Sequence, residues 1–152
     1  MKNKNLSFMT QAAMIAAIYV VLTYIFAPFS FGEVQVRISE ALTILPIFTP
    51  AAIPGLFAGC LIGNILGGAI LPDIVFGSIA TLIGAFFTWK LREQKPVVAT
   101  FPPIISNIII VPFVLRYGYG VTLPIPFMML TVGIGETKED VSHLFEQCTA
   151  LL

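Results

Sequence analysis

Glu33-Val34-Gln35-Val36-Arg37-Ile38-Ser39-Glu40 is a polar strip set between long apolar runs. It carries Glu33, Arg37 and Glu40, in a chain of 152 residues with only eight basic and eight acidic ones. Hydrophobic residues make up 57% of the chain and charged residues 11%, with a mean hydropathy of +0.95. A soluble domain carries roughly 25% charged residues. This chain cannot coat a water-facing surface, so the runs on either side of the strip read as helices in lipid. Ionisable groups at or near membrane depth are costly, and the default expectation for them is function.

Composition excludes several classes. The formal net charge is zero and there is no basic tract, so nucleic acid is not a partner. Cys60 lies in an apolar run and Cys148 in a polar tail, which suggests neither a disulfide framework nor a metal site. His143 sits in the same tail and reads as solvated. No GxxxxGK[ST], HExxH or GxSxG motif and no nucleophile–base pair occurs, so the chain reads as a non-enzyme that cannot hydrolyse ATP itself and needs no cofactor. Lys2 and Lys4 ahead of an apolar run mimic a signal peptide, but the run is too long and reads as a retained first helix.

Working outward from the strip, polar interruptions cut the chain into six apolar pieces: about 6–28, 38–49, 55–71, 73–89, 97–115 and 123–135. The first is long enough to cross a ~30 Å hydrocarbon core at ~20 residues. The second is short and reads as tilted, buried or re-entrant. Pro102, Pro103 and Pro112 are expected to bend the fifth. The expected fold is an all-α integral membrane protein, a six-helix transmembrane bundle over residues 1–136 with a polar tail at 137–152.

Basic residues gather on the cytoplasmic side. With both termini inside, Lys2, Lys4, Lys90, Arg92, Lys95 and Lys138 fall inside and only Arg37 and Arg116 outside. The expected location is therefore the cell membrane, multi-pass, with both termini cytoplasmic. This topology brings the 29–38 loop, the 71–73 turn and the 116–122 loop to the outer face. Glu33, Gln35, Arg37, Glu40, Asp73 and Arg116 are then expected to gather at one polar mouth.

Each motif has two readings. Gly55, Gly59, Gly63 and Gly67 recur every four residues and let a neighbouring backbone approach closely, with Gly77, Ala80 and Gly84 extending the contact. Ala12/Ala16 and Ala13/Ala17 form small-xxx-small pairs, either internal packing or a docking stripe for another membrane subunit. Arg37 and Glu40 share a helix face if the second helix starts by Arg37, and form either a rim ion pair or part of a site for a nitrogen-rich ligand. Asp73 reads as a helix cap that can also face the pocket. Asn64 and Asn107 either bond between helices or line the pocket, with Asn64 about 13 Å below Asp73 at ~1.5 Å per residue. Glu136 is either the polar inner end of the last helix or a buried pocket acid.

The run from Val34 to Thr43, the pieces Ala52-Ile53-Pro54-Gly55-Leu56, Gly59-Cys60 and Asn64, and the run from Asp73 to Leu82 together resemble the queuosine-precursor transporter (QueT) family, over residues 7–136. These are substrate-binding S components of energy-coupling-factor (ECF) importers. The resemblance implies a six-helix subunit that captures a 7-deazaguanine from outside. It also implies docking on a transmembrane coupling subunit bound to two ATPases. Ala12, Ala13, Ala16 and Ala17 would be the docking face. Glu33, Gln35, Arg37, Glu40, Asn64, Asp73, Asn107 and Glu136 would hold the ligand, with Phe29, Phe31 and Phe76 able to stack on its ring. One departure stands out: where the family's sixth helix continues apolar, this chain turns polar at Thr137-Lys138-Glu139-Asp140. Its last helix is either shortened or followed by an amphipathic one. Two rival readings are a stand-alone ion-coupled carrier for a small polar solute and a structural membrane protein whose charges only fix topology.

Overall fold

The structure, a computed structural model, describes residues 2–26, 38–93 and 96–134. Glu33, Gln35, Arg37 and Glu136 among the expected ligand residues lie outside the described residues, as do Phe29, Phe31 and the 137–152 tail. All described secondary structure is helical: α1 (Lys2–Ile25), a 3₁₀ helix η1 (Ile38–Ile47), α2 (Ala52–Leu66), α3 (Leu71–Lys90), α4 (Pro96–Tyr117) and α5 (Ile125–Ile134). Three helices are long and apolar enough to cross a membrane: Asn3–Ile25, Leu71–Lys90 and Val98–Tyr117. Their outward faces carry side chains such as Met14, Val21, Ile79, Phe86, Ile105 and Phe113, exposed as lipid-facing residues are.

The glycine stripe pairs α2 with α1. A β-carbon on Gly55 would meet the Ala12 carbonyl oxygen at 2.7 Å, one on Gly59 the Tyr19 Cβ at 2.7 Å, and one on Gly63 the Thr23 side chain at 3.2 Å. Rising numbers match rising numbers, so α1 and α2 run parallel. Between membrane helices no hydrophobic effect drives association, and close backbone approach supplies the contact instead. The stripe is shorter than expected: α2 ends at Leu66, Gly67 is its C-cap, and Gly68 turns the chain at φ 77°.

Antiparallel packing follows between α3 and α4. A β-carbon on Gly84 would lie 2.7 Å from the Pro103 backbone, and one on Gly118 2.5 Å from the Ile70 side chain. This register sets Asn107 opposite Ala80 and Thr81. α4 continues as helix through Pro102, Pro103 and Pro112. The prolines lack N–H groups, which deprives the carbonyls of Val98, Ala99 and Ile108 of their helical donors. α5 lies on α4 through Val111, Leu115, Met128 and Val132. Its ten described residues rise about 15 Å, short of a crossing.

The second apolar segment is not an α-helix. η1 winds for ten residues as 3₁₀ with Pro46 inside, where such runs rarely exceed 3–4 residues. Its period of three places Glu40, Thr43 and Pro46 on one buried row and Ala41 and Ile44 on another. It packs against α1, α2, α3 and α4, which makes it the centre of the bundle.

Candidate functional site

Buried polar side chains converge on η1. Glu40 is 2% exposed and Tyr19 of α1 only 1%. The Tyr19 hydroxyl donates to Glu40 Oε1 at 2.6 Å. The Thr81 hydroxyl of α3 lies 3.3 Å from the same oxygen, 3.4 Å from Cys60 Sγ and 3.0 Å from the Gly77 carbonyl oxygen. A hydroxyl has one proton, so Thr81 serves one of these acceptors at a time. Glu40 Oε2 is buried with no hydrogen-bond partner. One turn along the same seam, the Thr23 hydroxyl donates to Ser39 Oγ at 2.9 Å.

A second centre forms at the end of the bundle where α3 begins. Asn64 Nδ2 lies 3.5 Å from Cys60 Sγ and 3.5 Å from the Asp73 carbonyl oxygen. The Tyr119 hydroxyl donates to Asp73 Oδ2 at 3.0 Å. Glu40, Thr81, Cys60, Asn64, Asp73 and Tyr119 thus make one continuous polar path through the interior.

Several sequence expectations change in this arrangement. Asn64 does not lie far below Asp73; α2 ends two residues after Asn64 and the chain folds back, so the two touch. Asp73 does not cap α3, since the cap position is Ile70; it sits in the first turn, where a negative charge suits the helix dipole. Glu40 does not share the level of Asp73. Its partner Thr81 lies eight residues further along α3, about 12 Å deeper. Asn107 is buried at the level of Thr81, by the α3–α4 register. Arg116 is exposed and donates from Nη1 to the Leu123 carbonyl oxygen at 3.3 Å. Phe76 lines a cleft of about 440 Å³ with Pro72, Phe113 and Tyr117.

Of the four alanines expected at a docking face, Ala12 and Ala16 are half-buried against Gly55 and Gly59, whereas Ala13 and Ala17 are exposed. Sequence reasoning passed over Tyr19, Thr81, Cys60 and Tyr119. The available signal was spacing: Cys60/Asn64 and Gly77/Thr81 are i, i+4 pairs facing one way on their helices. Among the described residues no group of three His, Cys, Asp or Glu could hold a metal ion.

A helical membrane bundle with an acid held in its interior belongs to the class that contains solute transporters. The model of the QueT transporter family matches residues 9–138, and the chain belongs to that family. It is similar to the queuosine precursor transporter QueT of Lactococcus lactis subsp. cremoris (strain MG1363), with 33% identity over 84 residues, 54% of this chain and 48% of the relative. The chain spans about half the length of the curated relative it matches. No solved structure matches it significantly. Its family is one of transporters, not of enzymes.

Proposed function

We propose that this chain is the membrane-embedded solute-binding (S) subunit of an ECF importer, located in the cell membrane with both termini cytoplasmic. It captures a 7-deazaguanine queuosine precursor from outside. A transmembrane coupling subunit and two ATPases drive uptake. Family membership supports the transport role, and the name of the Lactococcus relative supports the solute.

The observation that carries the reading is Glu40 Oε2, a buried carboxylate oxygen with no donor. Leaving such a group unpaired costs on the order of 1–3 kcal/mol or more, which a ligand N–H would recover. A deazaguanine presents an amino group beside a ring N–H. Oε2 accepts one of these, and Oε1 keeps a lone pair for the other when Thr81 bonds the Gly77 carbonyl. Asp73 and Asn64 supply further polar contacts along the path, and Asn107 lies level with Glu40. The docking face on this reading is the exposed pair Ala13 and Ala17.

Titration calorimetry of the purified full chain with 7-aminomethyl-7-deazaguanine tests the site. Glu40→Gln should weaken binding by at least about a hundredfold, because it turns an acceptor into a donor facing a donor. Wild-type affinity in Glu40→Gln would overturn the reading. Co-purification of the wild-type chain without any ATPase-bound coupling subunit, together with uptake that follows an ion gradient, would favour the stand-alone carrier.

A further inference from the structure

We infer that Tyr19 is a positioning residue that sets ligand specificity by fixing the orientation in which Glu40 presents its two oxygens. The inference rests on the proposed solute-binding role of Glu40. A carboxylate on an unsupported side chain presents either oxygen in many orientations. Here the Tyr19 hydroxyl, at 2.6 Å, takes one lone pair of Oε1, while Oε2 has no donor. Both side chains are almost wholly buried. A short O–H···O hydrogen bond has a defined direction.

Tyr19 itself is fixed by backbone. Its Cβ stands 2.7 Å from where a β-carbon on Gly59 would be, so α1 approaches α2 at Tyr19 only because position 59 is a glycine. Gly59 places Tyr19, Tyr19 orients Glu40, and Glu40 Oε2 then accepts in one direction. The class of ligand this selects is a planar heterocycle with an N–H donor edge. A ring that offers a lone pair at that edge meets an oxygen instead of a donor and is rejected. Sites built around a buried hydrogen bond discriminate against ligands lacking the donor by roughly 10⁴-fold.

The test uses the full chain in detergent, with 7-deazaguanine as the donor-edge probe and 7-deazaadenine as the acceptor-edge probe. Four chains are compared: wild type, Tyr19→Phe, Glu40→Gln and Thr23→Val. Thr23→Val breaks the neighbouring α1–η1 bond to Ser39 without touching Glu40 and reports loss of the seam alone. Tyr19→Phe is expected to weaken 7-deazaguanine by about tenfold and to lower the ratio of the two affinities by a similar factor. Thr23→Val is expected to lower the melting temperature and leave that ratio unchanged. An unchanged ratio in Tyr19→Phe, with Glu40→Gln still abolishing binding, overturns the role of Tyr19 alone. Wild-type binding of 7-deazaguanine by Glu40→Gln, or no binding by the wild-type chain, overturns the site and this inference together.

Discussion

A β-carbon on Gly59 would stand 2.7 Å from the Tyr19 Cβ and 3.1 Å from the Ala16 Cα. Neither neighbour is the flexible end of a side chain, so helix must move. Gly59→Ala should destabilise by about 1–3 kcal/mol, read as a lower melting temperature in detergent, and weaken ligand binding with it. Thr88 presents the opposite case. Its hydroxyl is buried without a hydrogen-bond partner, so Thr88→Val removes an unmet polar group at nearly constant shape. It should leave stability equal or raise it by about 1 kcal/mol, and a marked fall in melting temperature would contradict this. At this scale the sequence was only partly legible. Glu40, Asn64, Asp73 and Asn107 stood out because polar groups are rare in apolar runs. Tyr19 and Thr81 did not, since an aromatic ring or a threonine in such a run is ordinary and only the neighbouring helix reveals its partner.

At the scale of elements, six segments could be read from the spacing of polar interruptions, and their number and order agree with the six helices described. The winding of the second segment was not legible. Ten residues of this mixed character fit either helix, and the 3₁₀ form follows from four neighbouring helices and Pro46. A 3₁₀ helix rises ~2.0 Å per residue against ~1.5 Å, so η1 spans about 20 Å where an α-helix would span about 15 Å. That longer reach, together with the unknown start of the segment, is why the depth of Glu40 escaped the sequence. The hydrogen bonds of 3₁₀ winding are poorer. Backbone amides of η1 should therefore exchange faster than those of the equally buried middle of α2, measured by hydrogen exchange with mass spectrometry. Equal protection in both would show η1 to be as firm as an α-helix. The alanine pairs divide at this scale too. On the proposed ECF role, a bulky residue at Ala13 should block co-purification with a coupling subunit and spare solute binding. The same change at Ala16 should disturb the α1–α2 seam and lower stability.

For the whole molecule, parallel α1 and α2 and antiparallel α3 and α4 bring the Gly68 turn and the Gly120 turn to one end of the bundle. The 91–93 turn lies at the other end, the end at which α1 starts. There the Arg92 guanidinium covers the Trp89 ring at 5.1 Å, a contact typical of the membrane–water boundary. In a chain whose native cysteines are replaced, a cysteine at Gly120 should react with an impermeant maleimide in intact cells. One at Glu93 should react only after the membrane is opened. Labelling of both from the same side would refute the arrangement.

At Gly55 and Gly59 the seam between α1 and α2 brings glycine directly against the backbone of Ala12 and Ala16. Long side chains at a helix contact yield like cushions; backbone against backbone does not. A displacement of α1 from its exposed face at Ala13 and Ala17 is therefore expected to carry α2, with Cys60 and Asn64, along with it. On that geometry α1 and α2 are expected to move as one stiff unit along the stretch from Gly55 to Gly59.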